Sequence, residues 1–216
     1  MTAPKLSPEK SLIFRVTHRD NLPWLLDHGL HCPRSGQQDP GFIGIGNADL
    51  IGKRRERPLP APCHGTLGDY VPFYFTPYSP MMLNIHTGWG GITRRDNNEL
   101  VFLVSSLPHL RDLGIEFVFS DRHAYLAAAR FSNSMADLPA WIPWQRLQAK
   151  DFKKDPNDPA KVECYQAEAL VFRQVPVQAL LGIVCYQETG AAAVRRMLND
   201  RGIDLKVFAL PTWYFS

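Results

Sequence analysis

The sequence predicts an α+β fold built as a single domain. Strand-like and helix-like segments are mixed along the chain without regular βαβ alternation, its 216 residues suffice for one sizeable core, and no linker divides them. Apolar residues at 45% and charged residues at 21% are ordinary for a globular protein. No apolar run approaches the ~18 residues that suggest a membrane span, so no membrane partner is expected.

MTAPKLSPEK, residues 1–10, is polar, contains proline and lacks the apolar centre of a signal peptide. It reads as a disordered lead to a domain over 11–216, in a protein expected in the cytoplasm. SLIFRVTH follows as a strand, and Asp20-Asn21 opens a short helix, NLPWLLDHG, closed by Gly29. A polar THRDN corner therefore joins strand to helix. Residues 32–47, rich in Pro, Gly, Asn and Gln, read as loop. NADLIGKRRER reads as a strongly basic helix, stopped by Pro58, Pro60 and Pro62.

DYVPFYF is the second strand, and SPMMLNIH starts a helix with Ser79 as N-cap and Pro80 in the first helical position. ELVFLVSS, EFVFSD, QAEALVFR, the run around LLGIVCY and DLKVFAL complete the strands. ETGAAAVRRMLNDRG is the clearest helix, from Glu188 or Thr189 to Gly202. Residues 131–160, FSNSMADLPAWIPWQRLQAKDFKKDPNDPA, show no strand signal and are rich in Pro, Asp and Lys. Long irregular segments inside compact domains tend to be functional.

Several chemistries are disfavoured. Cys32, Cys63, Cys164 and Cys185 lie far apart with no CxxC pair, which gives neither a zinc ribbon nor a disulfide framework. GFIGIG is not GxGxxG, DPNDP lacks the Gly and Glu of a calcium loop, and there is no Walker loop, GxSxG or HExxH. No metal site is expected. A net charge of +3 permits a nucleic-acid partner without demanding one.

Polar clusters at strand edges remain: Thr17 to Asn21, Arg54-Arg55, Tyr70 to Ser79, Asp121-Arg122-His123, and Glu168. Singly, each has an ordinary account as a cap, a solvated face or an exposed strand residue. Glu168 is the sharpest, because an ionised carboxylate at the head of the apolar run ALVF must face either water or a site.

FRVTHRDNL, IGKRRERPLP, DYVPFYFTPYSPMML, FVFSDRHAYLAAARF and QAEALVF resemble, in order and spacing, the successive blocks of the DarT family of DNA ADP-ribosyltransferase toxins. The resemblance runs from about residue 11 to the C-terminal TWYFS. It implies an ADP-ribosyltransferase fold whose split, mostly antiparallel sheet forms a cleft for NAD. The implied reaction moves ADP-ribose to a base in single-stranded DNA, thymine before guanine, and releases nicotinamide. The implied partner is a macrodomain antitoxin. His18 and Asn21 match positions that hold the nicotinamide end of NAD, with Thr17 and Tyr74 as further cofactor-lining candidates; Arg55 matches the family's important arginine and Glu168 its catalytic glutamate. The family often has arginine where this chain has Tyr78, which suggests a positive charge missing from that rim.

Residue chemistry agrees. Cleaving the nicotinamide–ribose bond builds oxocarbenium character, which a fixed carboxylate stabilises. Glu168 can also take the proton lost by the attacking base, provided burial raises its pKa. An arginine fork at Arg55 suits pyrophosphate or a base carbonyl, and both jobs stay open. Single strands are gripped by cations and aromatic platforms, and Trp141, Trp144, Arg146, Lys150, Lys153 and Lys154 offer both, making 131–160 a candidate substrate loop. Arg122 and His123 are further candidates for DNA contact. The competing readings are transfer to RNA or protein, a non-catalytic nucleic-acid-binding module, and a metal-dependent nuclease, which lacks the clustered carboxylates it needs.

Overall fold

A computed structural model describes residues 4–152, 155–158 and 161–215. The strands are β1 (Leu12–His18), β2 (Leu30–His31), β3 (Tyr70–Tyr74), β4 (Leu100–Ser106), β5 (Phe117–Ser120), β6 (Phe131–Ser132), β7 (Glu168–Phe172), β8 (Gln174–Val175), β9 (Gly182–Cys185) and β10 (Val207–Ala209). The α-helices are α1 (Leu22–His28), α2 (Ala48–Arg55), α3 (Pro80–Thr87), α4 (Leu107–Asp112), α5 (Leu138–Trp141), α6 (Trp144–Ala149) and α7 (Glu188–Asn199). Eight strands form one sheet in the order β10-β9-β4-β1-β3-β7-β5-β6, and β2 pairs with β8. Among the described residues only the β10–β9 pair is parallel.

The predicted split lies between β1 and β3. β1 runs in register with β4 from Leu12↔Ser106 to His18↔Leu100, yet meets β3 only at Phe14↔Tyr74. Pro72, within β3, has no N–H to donate to a neighbouring strand. Its carbonyl instead accepts a 2.9 Å bond from Arg15 Nη1, so a side chain bridges where the ladder stops. This opening positions the site.

Around it the core is dense. Every residue of β4 is buried, as are Ala169, Leu170 and Val171 of β7. Ala191, Val194 and Leu198 of α7 are buried at helical spacing. Tyr214 spans two strands by donating through its hydroxyl to the carbonyls of Leu100 and Val184, at 3.2 and 2.9 Å.

Two expectations are corrected. The lead is not disordered from residue 4 onward: Leu6 is buried in the core and its N–H donates to Gln148 Oε1 at 2.9 Å. One apolar residue among polar neighbours is enough to dock the segment. Residues 131–149 are likewise not an irregular loop, since 131–132 form β6 and two short helices follow. Pro139 stands in the first turn of α5 and Pro143 caps α6, so these prolines begin helices instead of breaking structure. Leu138, Ile142, Trp144 and Leu147 bury the inward face.

Candidate active site

β7 carries Glu168 in register with Tyr74 of β3, the residue at which β3 still meets β1. The side chain is 1% exposed and accepts from Arg54 through both oxygens, Nη1 to Oε1 at 2.9 Å and Nη2 to Oε2 at 2.6 Å. Oε1 also accepts from the Ala124 backbone N–H at 2.9 Å, and His123 Nδ1 lies 3.8 Å away. Burial would raise the carboxyl pKa, but the charge and hydrogen bonds of Arg54, with His123 and the Ala124 amide, outweigh it and hold Glu168 below its ordinary value. The condition set for a base of raised pKa is therefore not met: Glu168 is a fixed, buried anion.

Arg54, not Arg55, pairs with Glu168. Arg55 is exposed and comes no nearer to a carboxylate than 3.9 Å, at Glu56. Arg54 keeps its charge because Glu168's attraction exceeds the cost of burial. Helix α2 buries no residue and is fixed at its ends: Asn47 Oδ1 caps the Leu50 N–H at 2.9 Å, and Thr66 Oγ1 donates to the Arg55 carbonyl at 2.9 Å. The Arg54–Glu168 pair is its tie to the sheet.

The turn after β5 is anchored by buried Asp121, which accepts from the Arg130 backbone N–H at 3.0 Å and from Arg130 Nε at 2.9 Å. His123 Nδ1 accepts from the Tyr125 N–H at 3.1 Å, which leaves the proton of the neutral ring on Nε2. Burial lowers the His123 pKa against the pull of Glu168.

β1 carries Arg15, Thr17 and His18, and the Asn21 corner follows it. Asn21 is fully engaged: its amide donates 3.0 Å bonds to Thr17 Oγ1 and the Ile43 carbonyl and accepts from the Ile43 N–H at 2.8 Å. It locks the loop before α2 to the end of β1. Buried His18 has Glu99 Oε1 3.5 Å from Nε2 and the Asp20 N–H 3.2 Å from Nδ1. Arg15, absent from the sequence-based candidates, has its pKa lowered to about 10 by burial, and Tyr74, Arg54 and Glu168 act on it electrostatically. It stays charged at neutral pH. Tyr74 is pushed up by burial and then by the Glu168 charge, so it stays protonated.

The family profile described as "DarT: ssDNA thymidine ADP-ribosyltransferase" matches residues 14–215. The chain belongs to the DarT family. It is 50% identical, over 98% of its own length and 96% of the other's, to the DNA ADP-ribosyl transferase of Escherichia coli O127:H6. The solved structure of Thermus sp. 2.9 DarT in complex with ADP-ribosylated ssDNA matches with a TM-score of 0.87 at 29% identity, covering 99% of this chain and 100% of that one. The same Thermus DarT in complex with NAD+ matches with a TM-score of 0.81 at 32% identity, again over 99% and 100%. The DarT fold thus agrees with the predicted split, mostly antiparallel sheet.

Within this DarT chain the expected DNA contacts scatter. Trp144 is corrected from platform to core residue, 7% exposed with its indole N–H on the Leu138 carbonyl at 3.1 Å. Trp141 is half-buried against Phe119, with the Arg130 guanidinium 4.4 Å from its ring centroid. Arg146 pairs with Asp158 at 2.8 Å and Arg122 with Glu163 at 3.3 Å. Lys153 and Lys154 lie outside the described residues. Tyr78 is buried instead of forming a rim, and Lys150 sits with Nζ 3.7 Å from its ring centroid while donating to the Thr212 carbonyl at 3.0 Å. Among the described residues no three His, Cys, Asp or Glu side chains converge as metal ligands, and no helix is long and apolar enough to cross a membrane.

Proposed function

We propose that this chain transfers ADP-ribose from NAD to a thymine of single-stranded DNA, with Glu168 as the catalytic carboxylate and Arg54 as the arginine that fixes it. The observation carrying this reading is the bidentate Arg54–Glu168 pair at 2.9 and 2.6 Å, with Glu168 buried beside the single point where β1 and β3 meet. A rigid anion at that place stabilises the positive ribose as neutral nicotinamide departs. The ring nitrogen of thymine then forms the new bond to the anomeric carbon. Its proton becomes strongly acidic only once that bond is forming, so a carboxylate of low pKa suffices to accept it. The bond broken is glycosidic and no phosphoryl group moves, so the step is a pentosyl transfer and not a nucleotidyl transfer.

Thr17, His18, Asn21 and Tyr74 are assigned to the NAD side of the cleft, Asn21 by holding the loop at Ile43. Arg54 retains donors beyond the two spent on Glu168, and these serve a substrate oxygen. His123, beside Glu168 and carrying its proton on Nε2, is placed to donate to the entering base. Of the described candidates in 131–160, exposed Arg146 and half-buried Trp141 keep a DNA-facing role. Such an activity in the cytoplasm would poison its host, which supports a macrodomain antitoxin as partner. Incubation with labelled NAD should label thymine-containing single-stranded oligonucleotides and spare thymine-free DNA, RNA and added protein. Label on RNA or protein alone, or on no acceptor, contradicts the proposal.

A further inference from the structure

We infer that Trp89 is a stacking platform for a base flanking the target, an inference that rests on the DNA-transfer reading. It is 75% exposed, the most exposed of the large apolar side chains described. Burial contributes little to keeping it there. The turn that carries it follows α3 and is set by glycines in the left-handed region, Gly88, Gly90 and Gly91 at φ of 77°, 69° and 74°. Together they push the indole outward. The start of α3 faces the cleft, with Met81 Sδ 4.0 Å from the Tyr74 hydroxyl, and the helix then runs about 12 Å to this turn. A strand whose target base enters beside Glu168 can therefore extend along α3 to Trp89.

Charge selects the partner. No acidic residue occurs between Asp69 and Asp96, so α3 and its turn present His86, Arg94 and Arg95 without a carboxylate of their own. Arg95 is taken by Glu99 at 3.3 Å. Arg94 is exposed, packs beside Gly88 where a Cβ would lie 3.6 Å from its own, and has no polar partner among the described residues. An exposed indole one residue from the glycine against which Arg94 packs, with Arg94 itself unpaired, suits the π-face and phosphate of a single strand, whereas an apolar protein partner needs no such cation.

The test is binding of a fluorescein-labelled, thymine-rich single strand by anisotropy, without NAD, to the wild type, Trp89→Ala and Trp89→Phe. Trp89→Ala should bind about tenfold more weakly and Trp89→Phe should recover most of the loss. Michaelis constants in the transfer assay should rise for DNA and stay unchanged for NAD. Equal binding by the wild type and Trp89→Ala, a matching rise in the NAD constant, or no binding by the wild type overturns the platform. Label transfer by the wild type is scored separately, so failure of the platform and failure of the DNA-transfer reading are distinguishable.

Discussion

Glu168→Gln is expected to lower ADP-ribose transfer to DNA by at least about a hundredfold while the protein stays folded. The amide preserves shape and still accepts from the Ala124 N–H, but removes the one negative charge that meets the ribose cation. Binding of NAD should change far less than turnover, because the lost interaction is made in the transition state. Stability should fall as well, by about 3 kcal/mol in urea unfolding, since Arg54 is left in the cleft without its counter-charge. The pH dependence gives an independent check. The folded pKa of Glu168 lies below its ordinary 4.5, so its stabilisation is complete above 4.5 and is lost as pH falls through the lower folded value. The Gln variant has no such group and should show a flatter acid limb. A variant with near-normal transfer would remove Glu168 from the chemistry.

Arg54→Lys and Arg55→Lys should differ by orders of magnitude although the residues are adjacent. Lysine cannot reproduce the fork that engages both oxygens of Glu168, so Arg54→Lys should cost about a hundredfold in transfer and loosen α2. Arg55→Lys should stay within about threefold, because its weak, exposed contact with Glu56 is worth little. Parallel rate measurements with thymine oligonucleotides check both, and equal losses would return the sequence-based choice of Arg55.

That choice shows where sequence reasoning stops. Adjacent helical residues point about 100° apart, so choosing between Arg54 and Arg55 requires the phase of α2. An apolar stripe normally supplies the phase, and α2 buries no residue. Glu168 was legible because a charge at the head of an apolar strand violates burial rules. Arg15 in FRVTH is a charge in an apolar strand of the same kind, with the polar Thr17 and His18 following it. The limited β1–β3 pairing coincides with Pro72, whose missing N–H is readable in the sequence but whose neighbour in the sheet is not. In residues 131–160 the richness in Pro, Asp and Lys masks the helical period that Leu138 and Ile142, four apart, carry. Trp89 escaped notice because an exposed tryptophan has no signature in one sequence.

The central claim is that Arg54 and Glu168 act as one unit in the transfer step. A double-mutant cycle with Glu168→Gln, Arg54→Gln and the pair, read as single-turnover transfer to a thymine oligonucleotide, tests it directly. The double variant should be within about threefold of the slower single variant, because either change alone already disables the unit. Losses that multiply, with the double variant slower by the product of the two, would show that each side chain contributes on its own and contradict the account.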